Sequence, residues 1–200
     1  MDFFEAVRSR RSIRCFTDEP VREDDITAML DAARRAPSPE NDQPWRFIVV
    51  RDRALLGQLK DMVNTMVNER SAEAADDEKR QAMIEHLRFF STHFGDAPLV
   101  IFVLSRPFVG ARGEPSFLPY DPGLQSVGAA TLLLLLSGTA LGYGSCWTTG
   151  PVDFAREELE LILGVEKPWF ITGVVSIGKK AYDPKPRPAK TIEEITTFFG

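Results

Sequence analysis

Val127-Gly-Ala-Ala-Thr-Leu-Leu-Leu-Leu-Leu136 decides the fold. Five consecutive leucines cover every face of a helix, and such a helix must be buried all round. A chain of 200 residues can hide one helix at its centre or share it with a second subunit, and the reading here is both at once. The run is about half a membrane span, so it reads as core rather than as a bilayer segment. Outward from it, Asp153 is expected to cap a helix ending before Gly164, and Phe170 to Ile177 reads as a strand. Thr191-Ile-Glu-Glu194 is a capping box for a last helix, Ile192 to Phe199.

Toward the N-terminus, Ile26, Met29, Leu30 and Ala33 repeat at helical spacing, with Glu23, Asp24 and Asp25 in the first turn and Pro37 as the stop. Phe3, Phe4 and Val7 indicate a short first helix. Phe47 to Val50 and Leu99 to Leu104 read as buried strands, and Asp52 caps a helix through the mid-60s. Residues 69–90 are charge-rich and expected to be helical, either a solvated face or a lid over a site. Residues 106–122 form a proline-rich loop, whose Phe108, Phe117 and Tyr120 either contact a substrate or tuck into the core. The elements mix without strict alternation, which predicts one α+β domain over residues 1–200 with a central mixed sheet flanked by helices.

The composition closes off other classes. About 100–200 residues make one domain, and about 70% of the surface of such a chain is removed from water on folding. Hydrophobic residues at 44%, charged residues at 26% and a net charge of −5 are those of an ordinary globular protein, not of a basic nucleic-acid binder. Two distant cysteines, Cys15 and Cys146, make no disulfide framework, so a reducing, cytoplasmic setting is expected, with no membrane and no nucleic-acid partner. The N-terminus has its acids before the apolar residues, the reverse of a signal peptide.

Familiar catalytic sets are missing. His86 and His93 are seven residues apart, about 10 Å along a helix, so no single metal joins them. Gly142-Tyr-Gly144-Ser-Cys-Trp147 starts like a dinucleotide fingerprint but ends in Trp147. Its Gly-Ser-Cys-Trp portion matches part of a thiol-protease signature, yet both histidines lie upstream, and Cys146 reads as a small buried hydrophobe. No catalytic residue is named, and a bound cofactor is expected to carry any chemistry.

Arg8-Ser-Arg10-Arg11-Ser12-Ile-Arg14 places four arginines in seven residues of an acidic protein. If the segment is extended, Arg10, Ser12 and Arg14 point to one side and make a socket for phosphate or another planar anion. The other reading is a basic surface turn paired with acids. Ala36-Pro-Ser-Pro-Glu-Asn-Asp-Gln-Pro-Trp45 is a stiff polar turn, Gly142 to Pro151 is a small glycine-rich loop, and Lys185-Pro-Arg187 brings cations on a proline-rich tail.

Taken together and in this order, Arg10-Arg-Ser-Ile-Arg14, Ala36-Pro-Ser with Asn41-Asp-Gln-Pro-Trp45, Leu141-Gly-Tyr-Gly-Ser-Cys-Trp147 and Pro184-Lys-Pro-Arg187 resemble the FMN-dependent nitroreductase family. The resemblance implies a nitroreductase-like fold and an intertwined homodimer, with the long central helix and two non-covalently bound FMN at its interface. It places Arg10, Arg11, Ser12 and Arg14 on the phosphate, ribityl and N1/O2 edge, with Lys185 and Arg187 completing the phosphate socket. It places Pro37, Ser38 and Asn41 against the flavin, partly from the partner subunit, and Thr148, Thr149 and Gly150 along the ring. Family members often carry Gln-Asn where this helix has Leu132 and Leu133. The implied activity is NAD(P)H-dependent reduction of nitroaromatics or quinones by a ping-pong mechanism. Thr148-Thr149 also resembles the iodotyrosine deiodinase branch, which implies reductive dehalogenation of halogenated aromatics. A flavin-storage protein without turnover is the remaining alternative.

Overall fold

The apolar runs assemble as a four-stranded sheet in the order β1-β2-β4-β3. The strands are β1 (Trp45–Val50), β2 (Leu99–Ser105), β3 (Gly144–Thr148) and β4 (Phe170–Gly178). This computed structural model describes residues 1–71, 78–109, 121–186 and 188–200, with the side chains of 78–80 left aside. Every strand pair is antiparallel, where a mixed sheet was expected; the parallel element is one isolated bridge, Ser12 to Ser145. All seven residues of the inner strand β2 are buried, as a strand covered on both faces must be.

Successive residues of β2 therefore serve two cores. Ile101 and Val103 face α2 (Glu23–Ala33) and α5 (Pro122–Ala140), where they meet Met29, Ala33 and Leu134. Val100 and Phe102 face α3 (Arg53–Ser71) and α6 (Gly150–Ile162), where they meet Leu56, Val63, Ala155 and Leu159. Between α3 and β2, α4 (Glu78–Thr92) packs along α3 and α6 and ends in a tight turn, His93–Asp96. The first element, α1 (Phe3–Ser9), is capped by Asp2 and lies on α5.

The central helix departs from its expectation. Thr131, Leu134 and Leu135 are buried, but Leu124 and Leu132 are 43% and 48% exposed in the single chain. One chain covers one face and leaves the other open. By length and composition α5 would also cross a bilayer; in this fold it packs on α1, α2 and the sheet.

Three further boundaries differ. Gly144-Ser-Cys-Trp-Thr148, expected as loop, is the edge strand β3, paired with β4 from Gly144–Gly178 to Thr148–Val174. Gly144 belongs there because a Cβ would stand 2.7 Å from Ile13 Cγ1. Helix α6 starts at Gly150 rather than at Asp153: the Thr149 carbonyl takes the Val152 and Asp153 N–H groups at 2.8 and 2.9 Å, and Pro151 fills the first turn. The capping box at Thr191 and Glu194 forms, yet the helix it opens, α7, spans only Ile192–Ile195. A cap satisfies the first turn, but a helix this short grows only against a packing surface, and residues 191–200 are all exposed in this chain.

Asp52 caps α3 as expected, its Oδ1 accepting from the N–H groups of Ala54 and Leu55 at 2.8 and 3.2 Å. Phe108 is half-buried beside the start of α5. Phe117 and Tyr120 lie outside the described residues.

Candidate functional site

The chain leaves α1 at Arg10 and runs extended across the sheet edge. The Ile13 N–H donates to the Ser145 carbonyl at 2.9 Å. Beyond it, the Thr17 N–H donates to Lys179 O at 3.0 Å, and the Ala181 N–H donates to Cys15 O at 3.1 Å. These bonds pin the arginine segment to β3 on one side and to the chain after β4 on the other. The proline-rich tail then returns beside it. Val7, Arg8, Arg10, Arg11, Ser12 and Arg14 from the N-terminal end, with Tyr182, Pro184, Lys185 and Ala189 from the tail, wall a cleft of about 520 Å³. The two chain ends that the sequence analysis joined are therefore adjacent.

The cleft is electrostatically unbalanced. Some cations elsewhere find carboxylates, as Arg34 and Arg35 do at Asp31 and Lys180 does at Asp183, while others, such as Arg46 and Lys179, rest singly on aromatic rings. Among the described residues, Arg8, Arg10, Arg11, Arg14 and Lys185 have no carboxylate partner. Arg11 does other work, since its Nη1 donates to the carbonyls of Arg8 and Arg10 at 2.7 and 2.8 Å and so closes the end of α1. Arg14 is half-buried, its guanidinium 4.6 Å from the centroid of the Phe90 ring and its Nε buried without a hydrogen-bond acceptor. A buried donor on a cation is costly unless something accepts from it. An anionic ligand with planar acceptors fits that demand.

Thr148 donates from Oγ1 to the Phe90 carbonyl at 3.1 Å, so Thr148 and Arg14 meet at Phe90. Thr149 donates from Oγ1 to Asp153 Oδ2 at 3.3 Å. Gly150 opens α6 against α4, where a Cβ would stand 2.7 Å from Ser91 Oγ. These three flank the arginine segment without lining the cleft itself. Pro37, Ser38 and Asn41 do not line it either. They sit in a turn held by the Gln43 N–H donating to Ser38 Oγ at 3.0 Å and by an Asp42–Arg106 ion pair. Glu40, Asn41 and Gln43 adopt φ of 53°, 57° and 48°, a costly set for residues with side chains. Arg187 lies outside the described residues.

Phe90, Ser91 and Tyr182 escaped the sequence reading. The aromatic pair Phe89-Phe90 closing an otherwise charged helix was the available signal.

Burial pushes the Cys146 thiol upward against the pull of Arg14 and Arg10, so it stays a thiol. His93 is driven the other way, down to about 4, first by burial and then by the Arg14 charge. Its Nδ1 donates to Phe89 O at 3.3 Å, and its Nε2 is buried without a partner. Between about pH 6.5 and about pH 4 the unfolded chain protonates this imidazole while the folded chain does not. His93 should therefore cost stability as pH falls through that window, by up to about 3 kcal/mol. Urea unfolding of wild type and His93→Gln at pH 7 and pH 4.5 checks this: the wild type loses more, and an equal loss in both contradicts it.

The model of the Nitroreductase family matches residues 7–179. A Thermus thermophilus protein named NADH dehydrogenase is 30% identical over 203 residues, covering 99% of this chain and 96% of its own. The crystal structure of a BluB-like flavoprotein from Clostridium difficile 630 superposes with a TM-score of 0.86 at 29% identity, covering both chains fully. An oxidized iodotyrosine deiodinase, crystallised with FMN and 3-iodo-L-tyrosine, superposes with a TM-score of 0.74 at 26% identity, covering 98% of this chain and 100% of that one. The matched stretch starts in α1 and ends just past β4, taking in the arginine segment, the stiff turn and the glycine-rich edge strand, and on that ground the chain belongs to the nitroreductase family.

Proposed function

We propose that residues 1–200 form one FMN-binding domain, and that the protein is an NAD(P)H-dependent flavin oxidoreductase acting on electron-poor acceptors such as nitroaromatics and quinones. The observation that carries this is the group of cations in the cleft: among the described residues, Arg10, Arg14 and Lys185 converge without a carboxylate, and the Arg14 Nε has no acceptor. Arg10, Ser12 and Lys185, with Arg187, hold the phosphate and ribityl chain. Arg14 donates to the N1/O2 edge, while Arg11 secures the helix end from which Arg10 projects. Each charge-assisted bond contributes roughly 1.5–3 kcal/mol, so a handful retains FMN without a covalent link.

When bound, FMN would supply the hydride chemistry that links NAD(P)H to the acceptor, the two sharing one site in turn in a ping-pong cycle. One hydride and one proton from water convert a quinone to a hydroquinone. The protein's part is to bind and orient, and no side chain acts as acid or base. Thr149 and Gly150, at the start of α6, would offer backbone N–H groups to the ring.

The working form in this reading is a homodimer. Leu124 and Leu132 on α5, Phe3 and Phe4 on α1, and Ile192, Ile195, Phe198 and Phe199 at the tail are all exposed in one chain. A second copy covers them. It also brings its own strained turn, Pro37, Ser38 and Asn41, to the cofactor. The free cysteines, Cys15 exposed and Cys146 buried, fit a cytoplasmic setting.

Dehalogenation by one-electron steps is the competing reading, motivated by Thr148-Thr149 and by the deiodinase structure. That chemistry asks for a hydroxyl free to donate to the ring, and both threonine hydroxyls already donate within the chain. Two-electron reduction is favoured on that ground. Anaerobic addition of NADH and of NADPH tests the proposal. Bleaching of the flavin absorbance by either, and its return on adding a nitroaromatic or quinone, is the expected result. No bleaching with either points to storage, and iodide release from 3-iodo-L-tyrosine in preference to quinone turnover points to dehalogenation.

A further inference from the structure

The closing turn of α4 touches three of the residues assigned above to the cofactor, although none of it lines the cleft. The Phe90 ring lies 4.6 Å from the Arg14 guanidinium carbon, the Phe90 carbonyl accepts from Thr148 Oγ1 at 3.1 Å, and Ser91 lies against Gly150. Arg14 has no ion-pair partner among the described residues, and the Phe90 ring is what its guanidinium rests on. A flat aromatic face holds a cation without consuming a donor: the cation rests on the ring and its N–H groups stay free for the ligand. A carboxylate in the same place would hold Arg14 more firmly but would occupy those donors and repel a flavin dianion.

We infer that Phe90 is a positioning residue, its ring fixing the plane of Arg14 and its carbonyl fixing Thr148, so that α4 sets the geometry of the flavin-facing side chains from behind. The inference deepens the FMN reading and rests on it. Buried His93, one turn further along, adds a second neighbour that senses the Arg14 charge. A binding group preorganised in this way loses less freedom when the ligand arrives, and that gain appears as affinity.

Two readouts separate a positioning role from simple packing. In the apoprotein, nuclear magnetic resonance should show the Arg14 side chain displaced by the Phe90 ring current. The displacement vanishes in Phe90→Leu and persists in Phe90→Tyr. Fluorescence titration with FMN should then show Kd rising about threefold to thirtyfold in Phe90→Leu. Phe90→Tyr restores it, and Phe90→Leu adds little in an Arg14→Ala background, because the two changes remove one interaction. Should Phe90→Leu not fold, Phe90→Met keeps the bulk without the ring and serves the same comparison. Unshifted Arg14 resonances, unchanged FMN affinity in the ring-less variants, or an undiminished effect when Arg14 is already absent would each overturn the inference. A wild type that takes up no FMN defeats the cofactor assignment instead, while the ring-current comparison still decides whether Phe90 holds Arg14.

Discussion

Replacing Arg14 with alanine weakens FMN binding by about tenfold to a hundredfold and leaves the apoprotein at least as stable as before. Both halves come from the same geometry. The guanidinium is half-buried on Phe90, with its Nε lacking an acceptor and no carboxylate near it among the described residues. In the empty protein it is a half-buried cation whose compensation is the Phe90 ring, a contact weaker than the ion pair that burial calls for, so removing it relieves a cost. In the loaded protein it makes charge-assisted bonds, so removing it forfeits them. A site with this trade-off is tuned for a ligand rather than for stability. Arg11→Ala should behave in the opposite sense, since Arg11 binds the last carbonyls of α1. It loses about 0.5–1 kcal/mol of stability with a smaller effect on FMN. Thermal unfolding of the two apoproteins together with FMN titration checks the pair. A destabilised Arg14→Ala protein with unchanged affinity would mean that Arg14 serves the fold.

A charge placed at Leu132 should split the proposed dimer. Leu124, Gly128 and Leu132 follow at four-residue spacing on the face of α5 that one chain leaves uncovered. In a single chain Leu132→Glu is a surface change and costs little. In a dimer that buries this face, each copy must desolvate a carboxylate, and symmetry sets both along the same seam. The penalty is several kcal/mol, enough to raise the dimer Kd more than a hundredfold. FMN should be lost with the dimer, because Pro37, Ser38 and Asn41 reach no arginine cleft within their own chain. Sedimentation of wild type and variant, with flavin absorbance followed in the same run, reads both effects. A variant that stays dimeric and yellow would remove α5 from the interface.

What the sequence disclosed follows from what local chemistry controls. The amphipathic repeat of α2, the Asp52 cap and the Thr191–Glu194 box are decided within a few residues, and each formed as written. The meeting of Arg10 to Arg14 with Lys185 was legible through the family resemblance, which puts Lys185 in the same phosphate socket; the charge of the segment alone left a basic surface turn equally open. Strand β3 was hidden by the glycine that starts it, and that glycine exists for a tertiary reason, the close approach of Ile13. The extent of α7 was overestimated because the apolar residues of its expected span, Ile192, Ile195, Phe198 and Phe199, stay exposed in the single chain. Phe90 was hidden most completely: the Phe89-Phe90 pair stands out at the end of a charged helix, but it does not say which residue far away in sequence will rest on the ring.

The central claim is that the arginine cleft is an FMN site, and flavin uptake tests it most directly. Protein purified without added cofactor, stripped and then titrated with FMN while the visible spectrum is recorded, should turn yellow and saturate at one FMN per chain. A protein that stays colourless through the titration, with its thermal midpoint unmoved by excess FMN, would contradict the account.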